Sequence, residues 1–176
     1  MSAGLIHLYC GDGKGKTSAA MGLALRAAGR NKKVLITQFL KNNRTGELYS
    51  LKQLETTIDI EEAIPVQKFV WHMTDAEKEA CKVEHTQRFQ DIIKKVEKDD
   101  YDVLILDELI ATINLDFVPL KTVLNFLVTK PEKLEVVLTG RDPLPELIEL
   151  ADYVSEIKAI KHPFDKGVNA RKGIEF

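Results

Sequence analysis

The 176-residue sequence predicts an α/β fold, a single domain with a mainly parallel sheet flanked by helices. Three observations carry this reading. Short apolar runs of strand length alternate along the chain with longer stretches of helical periodicity, the pattern of successive strand-helix units. One of the runs, residues 103–106, is apolar at every position, as a strand covered on both faces is. The first run leads through a glycine-rich turn straight into a helical pattern.

The elements follow in order. Residues 5–9 are a short apolar strand. After the glycines, Ala20, Leu23, Ala24 and Ala27 recur at the spacing of an amphipathic helix. That helix stops at a basic end and Gly29, and residues 34–39 close a βαβ unit. Beyond a polar loop at 42–46, Leu48, Leu51 and Leu54 mark a short helix. Residues 68–71 read as a strand ending in an aromatic loop. Thr74-Asp75-Ala76-Glu77 has the form of a capped helix start, and Phe89, Ile92, Ile93 and Val96 lie on one face of the long helix that follows. The strand at 103–106 ends in Asp107-Glu108. Leu120, Val123, Leu124 and Leu127 form the next helix face, and residues 134–138 another buried strand. Asp142-Pro143 starts a helix with Leu144, Leu147, Ile148 and Ala151 inside, and residues 153–157 return as a last strand. No internal repeat, low-complexity segment or second domain interrupts residues 1–176.

Composition narrows the class of function. Apolar residues make up 44% and charged residues 30%, with a net charge of -2, so neither nucleic acid nor an anionic membrane is an expected partner. Cys10 and Cys81 lie far apart without metal-ligand spacing, which argues against a disulfide framework or a zinc site and for a reducing compartment. The chain shows no basic leader and no apolar stretch near the roughly 18 residues of a membrane span. A cytoplasmic protein acting on small molecules is expected.

The glycine-rich turn reads Gly11-Asp12-Gly13-Lys14-Gly15-Lys16-Thr17-Ser18. A loop that grips polyphosphate needs residues without side chains, so that backbone N–H groups approach the oxygens, and a helix N-terminus beneath. Gly11, Gly13 and Gly15 meet the first need, and the helix from Lys16 the second. Lys16 adds a mobile positive charge, and the Thr17 hydroxyl is placed for a Mg²⁺ ion. The first glycine of the G-x-x-x-x-G-K-[ST] pattern is replaced by Cys10, which reads as a small buried residue. The fold is thereby narrowed to a P-loop NTPase-type domain. In open parallel sheets ligands sit at the carboxyl ends of strands, so Asp107 and Glu108 are placed to reach a metal beside the phosphates. Spacing alone leaves open which of the two touches it.

The chain resembles the P-loop corrinoid adenosyltransferases, also called ATP:cob(I)alamin adenosyltransferases. The likeness runs through the loop above, Thr37-Gln38-Phe39-Leu40-Lys41, Phe69-Val70-Trp71, Leu106-Asp107-Glu108-Leu109, Leu138-Thr139-Gly140-Arg141 and Glu149-Leu150-Ala151-Asp152-Tyr153-Val154-Ser155-Glu156. The tail from Lys161-His162-Pro163-Phe164-Asp165-Lys166-Gly167-Val168 through Gly173-Ile174 completes it. The missing first glycine is itself a habit of that family. Asp142-Pro143-Leu144-Pro145 departs from the more polar sequence of many members, and the N-terminal extension that helps cover the substrate in some members is not in this sequence.

The resemblance implies transfer of the 5′-deoxyadenosyl group of ATP to the cobalt of a reduced corrinoid, cobalamin or a cobinamide-type precursor, with release of triphosphate. ATP is then a co-substrate and Mg²⁺ or Mn²⁺ the metal. Cobalt(I) is a nucleophile without a proton, so no nucleophilic side chain or general base is required, and no persuasive Ser/His/Asp or Cys/His arrangement is present. The work left to the protein is alignment and stabilisation of the leaving triphosphate. Residues 11–18 are the nucleotide site, with Lys16, Thr17 and Glu108 as catalytic groups and Thr17 and Glu108 as metal ligands. The resemblance also implies that Phe69 and Trp71 hold the corrinoid's lower face during reduction of cobalt(II). Alternation along a strand would send both rings to one side. A flavoprotein reductant and a homodimer complete the implied partners.

Other residues attract less weight. His72 and His85 lack ligand spacing and read as surface or packing residues. His162 reads as a group ordering the C-terminal tail near the nucleotide, and Arg141 suits a phosphate or a carboxylate equally. Two rival readings stay open: an ATPase or kinase acting at the γ-phosphate, and a nucleotide or corrinoid sensor without turnover.

Overall fold

Strand position in the sheet follows the apolar pattern of each run. The computed structural model describes residues 3–41, 45–53, 57–61, 63–64, 68 and 70–175. Its strands are β1 (Ile6–Cys10), β2 (Val34–Gln38), β3 (Ile58–Glu61), β4 (Val103–Asp107), β5 (Glu135–Thr139) and β6 (Tyr153–Glu156). They form one sheet in the order β3-β2-β4-β5-β1-β6, and every pairing is parallel. The fully buried strands β2 and β4 lie inside, whereas the exposed β6 and the alternating Ile58-Asp59-Ile60-Glu61 of β3 are the edges. Parallel strands must be joined by crossovers, here helical, and these cover both faces.

The helices are α1 (Lys16–Ala28), α2 (Gly46–Gln53), α3 (Asp75–Asp99), α4 (Leu109–Asn114), α5 (Leu120–Thr129) and α6 (Pro145–Leu150). Alternation along the strands divides their apolar residues between two cores. Leu35, Leu104, Leu106, Val136 and Leu138 pack with Phe89, Ile92 and Val96 of α3, Phe126 and Leu127 of α5 and Leu147 of α6. On the opposite face Val34, Ile36, Ile105 and Val137 meet Ala20, Met21 and Ala24 of α1 and Leu51 of α2. Each fully buried Leu or Ile contributes about 1.5–3 kcal/mol, and the small alanines let α1 sit close over the sheet, fixing the height of the loop before it.

The start of α3 is capped as its sequence predicts. Glu77 N donates to Thr74 Oγ1 at 3.3 Å and Thr74 N donates to Glu77 Oε2 at 2.8 Å, satisfying two donors that the first turn leaves open.

Two expectations are corrected. The strand expected at 68–71 gives way, where it is described, to a 3-10 turn at Val70–His72, closed by Met73 N donating to Val70 O at 3.1 Å. The edge beside β2 is taken by β3, and an apolar run without a strand to pair with has no ladder to join. The helix expected at Asp142-Pro143 begins at Pro145, because Leu144 precedes a proline and is held extended at ψ 148. Helix α1 ends at Ala28 with Gly29 as its cap, as expected, and the left-handed residue beyond it is Asn31 (φ 58). Leu54, Phe69 and part of the 42–46 loop lie outside the described residues.

Candidate functional site

Buried polar side chains gather at the carboxyl ends of the central strands. Thr37 and Gln38 end β2, Asp107 ends β4, Thr139 ends β5, and Lys16 opens α1; all are buried. A cavity of about 760 Å³ opens above them, lined by residues 12–18 with Lys41, Glu108, Arg141, His162 and Glu175. β1 sends its helix toward β2 while β6 lies on its other side. Such a reversal of direction is where open α/β sheets leave a crevice.

The loop after β1 is shaped by backbone contact. Gly11 has φ 99, and a Cβ there would lie 2.4 Å from the carbonyl oxygen of Ile157. Gly13 N donates to that same oxygen at 2.8 Å, so the segment after β6 braces the loop. Gly15, the residue capping α1, has φ 123, a value that side chains rarely tolerate. The Lys16 ammonium curls back to donate to Gly11 O at 2.7 Å and Gly13 O at 2.8 Å. Burial pushes its pKa down, and the charge of Glu108 partly restores it. Asp12 Oδ1 accepts from Ala159 N at 3.1 Å, which holds its carboxyl below the usual range. Lys14 is paired with Glu175 at 3.1 Å. Ser18 lines the cavity.

Asp107 is the hub. It is fully buried, and its Oδ1 accepts from Thr17 Oγ1 at 3.0 Å and Thr139 Oγ1 at 2.7 Å. Its Oδ2 accepts from Gln38 Nε2 at 3.0 Å and Lys41 Nζ at 2.6 Å. Lys41 Nζ also donates to Thr17 Oγ1 at 2.9 Å. Four donors satisfy a carboxylate that would be prohibitively costly to bury alone. Glu108 differs. It sits at φ 62, ψ 18 as the capping residue of α4, its N donating to Thr139 Oγ1 at 2.9 Å, and it borders the cavity. Burial pushes its pKa up, as does the charge of Asp107, while Lys41, Lys16 and Arg141 act the other way.

The structure therefore brings together Lys16, Thr17, Asp107 and Glu108, and distinguishes the two carboxylates. Asp107 holds the Thr17 hydroxyl from below, and Glu108 lies at the cavity wall. Arg141 joins the same wall. His162 also lines it, and its Nδ1 accepts from Phe164 N at 3.2 Å to cap the 3-10 turn Pro163–Lys166. Trp71 lies elsewhere, in the Val70–His72 turn, with 74% of its surface exposed. Sequence reasoning assigned no role to Gln38, Lys41 or Thr139. The polar residues closing apolar runs, in Thr37-Gln38 and Thr139, were a signal of strand ends over a polar cavity. Lys41 and Asp107 are 66 positions apart, and no local pattern links them.

A divalent cation would find hard oxygen donors here: the Thr17 hydroxyl and the Glu108 carboxyl, backed by Asp107. The ammonium of Lys41, bridging Thr17 Oγ1 and Asp107 Oδ2, marks the spot as one that attracts positive charge. Among the described residues no cluster of three or more His, Cys, Asp or Glu is present. This donor set suits Mg²⁺ or Mn²⁺, which take one or two carboxylates and complete their shell with water and phosphate oxygens.

Fold and site together define a class: an α/β protein whose first strand delivers a glycine-rich loop onto a helix, opposite an acidic strand end. A family model described as ATP:corrinoid adenosyltransferase BtuR/CobO/CobP matches residues 2–176. The chain belongs to that family, a family of transferases. It is 35% identical over 176 residues to the corrinoid adenosyltransferase of Escherichia coli strain K12, covering 98% of this chain and 86% of the relative. With the corrinoid adenosyltransferase CobA of Salmonella typhimurium the figures are 34% over 178 residues, 98% and 86%. With that of Pseudomonas aeruginosa they are 32% over 174 residues, 98% and 84%. Among the described residues no helix is long and apolar enough to cross a membrane.

Proposed function

We propose that this chain transfers the 5′-deoxyadenosyl group of ATP to the cobalt(I) of a corrinoid and releases triphosphate. The observation that carries the proposal, beside family membership, is the meeting of Lys16 and Thr17 with Asp107 and Glu108 under one cavity. In the reaction two electrons of cobalt(I) form the Co–C5′ bond as the C5′–O bond breaks, and the pair leaves on the triphosphate. No proton moves, so the protein needs no general base.

The tasks left to side chains match those present. Backbone N–H groups of residues 11–18 and the Lys16 ammonium would take the triphosphate and the charge growing on it. Lys16 would exchange the carbonyls of Gly11 and Gly13 for phosphate oxygens. Thr17 and Glu108 would hold Mg²⁺ or Mn²⁺, with Asp107 orienting the Thr17 hydroxyl; when bound, the metal neutralises triphosphate charge. Arg141 has the reach to add a further positive contact. The corrinoid would lie against the Val70–His72 turn, where the exposure of Trp71 suits a residue that meets a ligand; for Phe69 the same role rests on the family resemblance. A flavoprotein reductant, a homodimer and a cytoplasmic setting go with this reading.

The test is incubation with ATP, Mg²⁺ and chemically reduced corrinoid, following both the cobalt–carbon absorbance and the phosphate product. Triphosphate with adenosylcorrinoid is expected. Orthophosphate without a cobalt–carbon band would instead place cleavage at the γ-phosphate and make the chain an ATPase or kinase.

A further inference from the structure

A second cavity, of about 280 Å³, lies between α3 and the Val70–His72 turn, with Leu40, Lys68, Val70, Ala80, His85 and Phe117 in its lining. It is mainly apolar, yet a histidine forms part of its wall. His85 is only 2% exposed, and its Nδ1 meets no hydrogen-bond partner among the described residues. The ring is held flat against Phe117, 5.7 Å between centroids at 3°, with Phe39 on another side at 6.1 Å. A buried ring nitrogen without a partner costs about 1–3 kcal/mol. Such a cost in the wall of a cavity points to a group that binds there.

The location says which group. Leu40 lines this cavity and its neighbour Lys41 lines the phosphate cavity, so residues 40–41 are the partition between the two. Val70, also in the lining, adjoins Trp71. A molecule bound between the phosphate cavity and the Trp71 turn would cross residues 40–41 and 70–71, where this cavity adjoins both. The corrin macrocycle is fringed with short acetamide and propionamide arms. We propose that the cavity is a subsite for one uncharged amide arm of the corrinoid, hydrogen-bonded to His85 Nδ1; this rests on the corrinoid reading above.

Three features favour an amide over its carboxylate counterpart. Burial, reinforced by the charge of Arg88, pushes the His85 pKa down to about 4, so the imidazole is neutral near pH 7. A neutral ring presents Nδ1 as donor or acceptor according to tautomer, and an amide satisfies either. Finally, the lining holds Glu77 and Glu84 against the single cation Lys68, which is paired with Glu77, so an anionic arm is repelled. The apolar lining accepts the methylenes of the arm.

Binding of aquocobinamide, whose ring arms are all uncharged amides and whose cobalt(III) needs no reduction, tests this without turnover. Titration calorimetry would compare wild type with His85→Phe, which keeps the ring's shape and removes Nδ1. Ala80→Trp is a second variant that obstructs the mouth from an exposed helix position. Each variant should bind aquocobinamide about tenfold more weakly, the cost of one unsatisfied buried amide, with ATP affinity unchanged. Wild-type affinity in either folded variant overturns the subsite. If wild type itself binds no corrinoid, the corrinoid reading falls with it; if wild type binds and both variants bind equally well, the subsite alone is lost.

Discussion

Asp107 and Glu108 are adjacent carboxylates, and the structure gives them opposite consequences on neutralisation. In Asp107→Asn one oxygen remains to accept, and it must serve Lys41 Nζ and Gln38 Nε2, which have no lone pair to offer in return. The new amide N–H₂ then faces the hydroxyls of Thr17 and Thr139, which can rotate to accept. What is lost is mainly the charge opposite Lys41, at 2.6 Å. A hydrogen bond to an ionised group contributes about 1.5–3 kcal/mol net, and the 22% exposure of the Lys41 side chain keeps the loss below the cost of orphaning a fully buried pair. About 2.5 kcal/mol is expected, equivalent to a fall in Tm of roughly 5–10 °C for a chain of this size. Glu108→Gln should behave in the reverse sense. Its carboxyl is disfavoured as an anion by burial and by Asp107, so removing the charge should leave Tm unchanged or slightly higher. The Mg²⁺ concentration needed for turnover should nevertheless rise, with partial rescue by excess metal. Melting curves at pH 7 and a Mg²⁺ titration of each variant measure both effects. A stable Asp107→Asn, or a Glu108→Gln as destabilised as its neighbour with an unaltered Mg²⁺ requirement, would refute this division of labour.

Three further outcomes are expected. Lys16→Ala should lower the adenosyl transfer rate by on the order of 100-fold or more with a near-native melting curve; a folded variant within a few-fold of wild type would remove Lys16 from the leaving-group contacts. Trp71→Ala, at a site 74% exposed, should leave Tm almost untouched. It should slow turnover from cobalt(II) with a weak reductant far more than from pre-formed cobalt(I), and equal losses in the two assays would count against a role in holding the corrinoid for reduction. His85 has a folded pKa of about 4 against about 6.5 when unfolded, so between these values the unfolded chain binds more protons and stability rises with pH. Unfolding free energy should therefore fall by about 3 kcal/mol as pH is lowered from 6.5 to 4, and urea titrations of His85→Phe should lack that component.

Much of the architecture was legible from local pattern, because a strand covered by helices draws on apolar residues along most of its length. Residues 34–39 and 103–106 announced themselves as strands and Thr74 with Glu77 announced a helix start, while the order of the strands in the sheet was set by pairing. The glycine loop was legible for another reason: Gly11 and Gly13 are pressed against Ile157, and Gly11 at φ 99 and Gly15 at φ 123 hold backbone that side chains rarely tolerate. Where pairing decides, local pattern fell short. Residues 68–71 and 58–61 are both short and partly apolar, and the second became the strand because it lies beside β2. The site divides along the same line. Lys16 and Thr17 are fixed by one turn of chain, so their spacing could be read directly. Asp107 and Glu108 are neighbours in sequence, and spacing could not separate them. Their roles diverged only when parallel pairing set the ends of β2, β4 and β5 side by side, enclosing Asp107 among Thr17, Gln38, Lys41 and Thr139 and leaving Glu108 at the cavity wall. A carboxylate's environment is made by residues distant in sequence, and packing alone assembles them.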